Sequence, residues 1–133
     1  MIPAAFEYQR AISVEGAVQA LVDNGDDAKL LAGGHSLLPL MKLRLAAPTM
    51  LIDIGGIRDL SYIREDGDRV LIGALTRHRD VETSELLGRE VPILAHATGK
   101  VGDPQVRHRG TIGGSLAHGD PASDPQAVCL ALN

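Results

Sequence analysis

The sequence predicts a mixed helix-and-strand (α+β) chain in two subdomains. Three observations carry that reading: helical apolar spacing after Ser13, apolar runs ending in glycine pairs, and a hairpin pattern after residue 56. At 133 residues the chain suits one ordinary domain or two small ones. A subdomain boundary is expected near residues 54 to 58, giving an N-terminal βαβ subdomain over 1–55 and a second over 56–133.

Ser13 is placed to cap a helix whose Val14, Ala17, Val18, Leu21 and Val22 recur at helical spacing, with Asn24-Gly25 as the stop. That helix is expected to be amphipathic and packed on a sheet. The run Ala28 to Ala32 reads as a strand entering Gly33-Gly34. Leu37 to Leu45 reads as a short helix, and Met50 to Ile54 as the next strand. The unit is βαβ-like, and its ligand loop is expected at the carboxyl end of a strand.

Past Gly55-Gly56, Leu60 to Arg64 and Arg69 to Gly73 flank a polar Glu65-Asp66-Gly67-Asp68 turn and predict a hairpin. Thr76 and Arg77 open a helix expected to run through Leu87, and Pro92 to Lys100 forms another. Arg107-His108-Arg109 is expected on a solvated or partner-facing strand. Asp124-Pro125 has the N-cap and first-turn residues of a final helix bearing Val128, Cys129, Leu130 and Leu132.

Composition narrows the function. The formal charge is −4 and there is no lysine-rich run, which disfavours nucleic-acid and anionic-membrane surfaces. The single cysteine, Cys129, allows neither an internal disulfide nor an iron–sulfur cluster held by this chain alone. No apolar run approaches the roughly 20 residues that span a bilayer, and no secretion signal is evident at the N-terminus. Phe6, Tyr8 and Tyr62 are the only aromatics, so the core is aliphatic and a flat ring ligand finds few stacking partners.

Two glycine strings concentrate the chemistry: Ala32-Gly33-Gly34-His35-Ser36 and Thr111-Ile112-Gly113-Gly114-Ser115. Paired glycines leave backbone N–H groups unshielded and allow φ > 0, so successive amides can face phosphate oxygens while the nearby hydroxyl adds a further hydrogen bond. Taken singly, the first string reads equally as a tight turn. It lacks the lysine of a Walker loop and the spacing of the Rossmann fingerprint. Gly113-x-Ser115-x-Ala117 imitates a nucleophile elbow, but His118 lies too close in sequence to serve as a triad histidine. The five histidines make no i, i+4 ligand pair, so no metal site and no catalytic residue is assigned.

Lys29 to Pro39, Leu51 to Gly55, Ile72 to His78 and Gln105 to Asp124 together resemble the FAD-binding medium subunit of the molybdenum hydroxylases, a family that includes aerobic carbon monoxide dehydrogenase and xanthine dehydrogenase. The resemblance implies an α+β flavin domain of the PCMH type, with FAD between two subdomains and a further C-terminal domain. Carried over by motif, Ala32, Gly33, Gly34, His35 and Ser36 form the first diphosphate loop, flanked by Lys29, Leu30, Leu31 and Leu37. Thr111, Gly113, Gly114 and Ser115 form the second. Asp124 contacts the ribityl chain, and Ala117 and Ala122 line the same channel.

The resemblance further implies an oxidoreductase subunit inactive by itself. Its partners are a large molybdenum-cofactor subunit and a small [2Fe–2S] subunit, in a dimer of heterotrimers. Electrons leave the clusters for FAD and then a quinone or other acceptor. The setting implied is cytoplasmic, with peripheral attachment at the inner membrane face through the complex as a variant. Family subunits run about twice this length, so the chain reads as an N-terminal fragment with an incomplete second subdomain. Two alternatives are a flavin oxidase of the same fold, with His35 carrying a covalent flavin, and a truncated, non-catalytic assembly module.

Overall fold

The computed structural model describes residues 1–132 and divides the chain into two compact units, Met1–Arg58 and Asp59–Asn133. The first unit is a three-stranded parallel sheet in the order β1-β3-β2, with β1 at Glu7–Arg10, β2 at Ala28–Leu31 and β3 at Met50–Asp53. Tyr8 pairs with Leu51 and Lys29 with Leu51 across the two ladders. Leu51 and Ile52 point to opposite faces of the pleat and both are buried, as a central parallel strand requires. The edge strand β1, Glu-Tyr-Gln-Arg, is exposed throughout and has no apolar face, which is why periodicity missed it.

Helix α1 (Val14–Asn24) is capped by Ser13, whose side chain accepts from the Gly16 N–H, and it ends at Gly25 with φ +62°. It packs against β2 and β3. The expected buried stripe is corrected: Ala17 and Ala20 face inward, while Val14, Val18 and Val22 stay exposed. Small residues on the inward face let the helix backbone approach its neighbours, and the valines fall on its flank. Helix α2 (Leu37–Lys42) follows the first glycine string and buries Met41.

In the second unit, β4 (Ile63–Asp66) and β5 (Arg69–Ile72) form the antiparallel hairpin, turning at Gly67 with φ +62°. Six helices follow among the described residues: α3 (His78–Thr83), α4 (Glu85–Glu90), α5 (Pro92–Thr98), α6 (Pro104–Arg109), α7 (Ile112–His118) and α8 (Asp124–Leu132). Val81, Leu87, Leu94, Ala95, Ile112 and Val128 form an aliphatic core, and α5 packs on α3, α4 and α8.

Four expectations change here. The single helix through Leu87 is two, because Ser84 is extended (ψ 120°) and its side chain caps α4 by accepting from the Leu87 N–H. Arg107-His108-Arg109 is the last turn of α6, not a strand. Asp103 caps that helix and Pro104 starts it, and the basic turn complements the negative end of the helix dipole. The second glycine string lies inside α7 rather than in a loop. Asp124 begins α8 itself, leaving Ser123 at the position before the helix. Among the described residues no helix is long and apolar enough to cross a membrane.

Candidate functional site

The first glycine string leaves the carboxyl end of β2. Lys29 and Leu30 are exposed in the strand and Leu31 is half-buried. Ala32, Gly33 and Gly34 are half-buried, His35 and Ser36 are exposed, and half-buried Leu37 opens α2. Gly34 has φ +79°, and a Cβ there would lie 2.9 Å from the Leu38 side chain. Its carbonyl accepts from the Leu38 N–H at 2.9 Å, which turns the chain into the helix. Among the described residues, none of the amides of Gly33, Gly34, His35, Ser36 or Leu37 donates to an acceptor in the chain. A run of free N–H groups around a left-handed residue forms a concave donor array suited to an anionic oxygen. This part of the structure fits a diphosphate.

The second string is built differently. Buried Thr111 precedes α7, and its hydroxyl accepts from the Gly114 N–H at 3.1 Å. Ile112 donates its N–H to the Thr76 carbonyl at 3.0 Å, Gly113 to the Ala74 carbonyl at 2.9 Å and Ser115 to the Thr111 carbonyl at 3.0 Å. Every amide from Ile112 to Ser115 is therefore occupied within the fold. The expectation of open amides at this string is corrected. Gly113 is small because α7 begins on top of Ala74: a Cβ would sit 2.5 Å from the Ala74 carbonyl oxygen. What the second string offers a ligand is its exposed Gly114 surface and side-chain hydroxyls.

Those hydroxyls are organised by residues that the sequence reading missed. Ser115 Oγ lies 3.2 Å from Ser123 Oγ, and the Gln126 side chain donates to the Ser115 carbonyl at 2.7 Å. Asp120 accepts from the Ala122 N–H at 2.9 Å, shaping the turn that carries Ala122 and Ser123. Asp124 is exposed at the head of α8, while Ala117 and Ala122 are also exposed. Thr111, Gly113, Gly114, Ser115 and Ala117 thus share one helix or its cap, and the Ser115–Ser123 bond draws the residue before Asp124 to it. Ser115 has Ser123 rather than His118 as its hydroxyl partner, unlike a nucleophile elbow. Gln126 carries no signal in sequence, because a glutamine on a short helix declares its role only through its neighbour.

Thr76 supports the same region. It is buried, its hydroxyl accepts from the Tyr62 N–H at 3.1 Å and donates to the Tyr62 carbonyl at 3.0 Å. His78 is buried beside Gly110, and burial pushes its imidazole below the ordinary histidine range. Among the described residues no group of three or more His, Cys, Asp or Glu side chains is arranged to hold a metal ion.

The first unit thus carries a free-amide loop at the end of a parallel strand and the second a glycine string at the start of α7, the two features that the resemblance assigns to a flavin-binding domain. Residues 4–133 match the family described as the FAD binding domain in molybdopterin dehydrogenase, and the chain belongs to it. It is 53% identical over 132 residues to the carbon monoxide dehydrogenase medium chain of Hydrogenophaga pseudoflava, covering 99% of this chain and 46% of that one. It is 47% identical over 133 residues to the alpha subunit of the 6-hydroxypseudooxynicotine dehydrogenase complex of Paenarthrobacter nicotinovorans, covering 100% of this chain and 45% of that one. A solved carbon monoxide dehydrogenase from Hydrogenophaga pseudoflava, lacking the Mo-pyranopterin moiety of its molybdenum cofactor, superposes with a TM-score of 0.94 at 55% identity, covering 96% of this chain and 45% of that chain. The chain spans about half the length of the relatives it matches.

Proposed function

We propose that this chain is the FAD-binding part of the medium subunit of a molybdenum hydroxylase, of the carbon monoxide dehydrogenase type. The observation that carries the proposal is the run of unpaired amides from Gly33 to Leu37, set around left-handed Gly34 at the end of a parallel strand. These N–H groups hold the diphosphate, with the Ser36 hydroxyl as a further donor and Lys29, Leu30, Leu31, Ala32 and Leu37 flanking it. Thr111 and Gly113 shape the start of α7. Gly114, Ser115, Ala117 and Ala122 present a small-residue surface toward the cofactor, and the Asp124 carboxylate accepts from ribityl hydroxyls. FAD, when bound, supplies the storage and release of electrons.

In this reading the molybdenum cofactor and [2Fe–2S] clusters belong to large and small partner subunits, and the acceptor is a quinone or similar molecule. The assembly is a dimer of heterotrimers in the cytoplasm. Carbon monoxide is the preferred substrate because the carbon monoxide dehydrogenase medium chain of Hydrogenophaga pseudoflava is 53% identical to this chain, against 47% for the 6-hydroxypseudooxynicotine dehydrogenase subunit.

Titrating the flavin-free chain with FAD, and with FMN as control, tests the reading. FAD is expected to quench saturably and FMN, which lacks the diphosphate bridge, to bind much more weakly. Gly33→Val and Gly114→Val are each expected to abolish FAD uptake, because a branched side chain blocks approach to the loop or to the exposed start of α7. Full FAD occupancy in either variant would remove that residue from the site.

A further inference from the structure

Asp124 stands between two side chains that both end on Ser115. On one side, Ser123 Oγ meets Ser115 Oγ at 3.2 Å. On the other, Gln126 Nε2 donates to the Ser115 carbonyl at 2.7 Å, and the other half of its amide, Oε1, is buried without a partner. A side chain held through one nitrogen, with its oxygen sealed from water, is there for the bond that it does make, since the unpaired oxygen costs stability. Asp124 is exposed, and none of the described hydrogen bonds is made by its own carboxylate. The direction of that carboxylate is therefore set by the backbone at the head of α8, which the two neighbouring ties fasten to α7.

We propose that Gln126 and Ser123 are positioning residues for Asp124, with Ser115 as their common anchor. The proposal rests on the FAD reading above, in which Asp124 meets the ribityl chain. Neither residue touches the cofactor; each acts by keeping the first turn of α8 in register with the α7 turn that carries Ser115. Ser115 consequently holds the acidic residue in place in addition to any contact of its own.

A double-mutant cycle on FAD affinity in the full chain tests this. Gln126→Ala is expected to weaken FAD binding about tenfold, the loss of one well-formed hydrogen bond's worth of alignment. In an Asp124→Ala background the same change is expected to alter affinity less than about twofold, because its target is gone. A purely structural role predicts the opposite: the tenfold loss repeats in both backgrounds, and the proposal falls. Wild-type affinity in Gln126→Ala also overturns it. If Gln126→Ala does not fold, Gln126→Glu decides the matter. Its carboxylate cannot donate to the Ser115 carbonyl, but its protonated form can. Burial where Gln126 Oε1 now sits raises that carboxyl above the ordinary glutamate range of about 4.3, so the variant's affinity, taken as a ratio to wild type at each pH, is expected to recover on acidification from about pH 8 to about pH 5; a flat ratio rejects the positioning role. A wild-type chain that takes up no FAD would remove the underlying reading instead, an outcome visible before any variant is made.

Discussion

Gly113→Ala separates a glycine needed for packing from one needed for ligand approach. The added methyl would sit 2.5 Å from the Ala74 carbonyl oxygen, 2.7 Å from Ala74 Cβ and 2.8 Å from Ala74 Cα. Two of these atoms are backbone, so no rotamer change relieves the contact. Restoring an ordinary separation of 3.4 Å opens the gap by about 0.9 Å. That carries the 2.9 Å Gly113–Ala74 hydrogen bond out of range. Overpacking of this kind costs ~1–3 kcal/mol and the lost bond ~1 kcal/mol, while alanine recovers ~1 kcal/mol of helix propensity. The net loss is about 2 kcal/mol. At ~2.1 cal/mol/K per residue, cooperative unfolding of the chain loses about 7 °C in Tm. Circular dichroism of the flavin-free chain measures it. A Tm within about 2 °C of wild type would show that α7 does not rest on Ala74 and that Gly113 is free to serve the ligand. Gly114→Val, at an exposed position whose N–H is held by Thr111, is expected to keep its Tm while losing FAD.

Two further outcomes test the supporting structure. Thr76→Val preserves shape but strips the partner from the Tyr62 N–H and one of two donors from its carbonyl, which keeps the Gly73 N–H at 2.8 Å, and is expected to cost about 1–3 kcal/mol in urea unfolding with an unchanged m-value; a loss below ~0.5 kcal/mol would deny the latch. His78 is held neutral by burial, with its pKa lowered. The unfolded chain takes up the proton first, so its contribution is complete above about pH 6.5 and is lost as pH falls through the depressed folded value. His78→Gln is expected to flatten the decline of Tm just below neutral pH, and an unchanged slope would show that another group controls it.

The first unit was legible from Ser13 onward because its signals are local. A serine cap, a glycine stop and two apolar runs specify helix and strands without reference to the rest of the chain. Strand β1 was not legible, since Glu7 to Arg10 pair with β3 through backbone alone and show no apolar alternation. The stripe on α1 misled for a related reason: periodicity identifies a helix, but only the docked partner decides whether Ala17 and Ala20 or the valines face inward. In the second unit, Ser84 read as a residue inside a helix becomes a cap between two, and Pro104 after Asp103 starts a helix that the Arg-His-Arg run obscured.

The two glycine strings make the limit sharper. Both read as amide cradles, yet the residues just before them differ. Leu31 leads out of an ordinary strand, so the first string inherits no hydrogen-bond partners and keeps its N–H groups free. Thr111 is a helix cap, and the segment from Ala74 to Thr76 supplies carbonyls to Ile112 and Gly113. The same pair of glycines thus leaves amides free in one place and solves a packing problem in the other. A nearby Thr at the capping position was the available clue, but the carbonyls that complete the second arrangement lie some forty residues upstream. Glycine content alone therefore locates the candidate residues, while the fate of each amide separates the two strings: the first keeps its N–H groups open, and the second exposes Gly114 and the side chains that α7 and α8 hold in place.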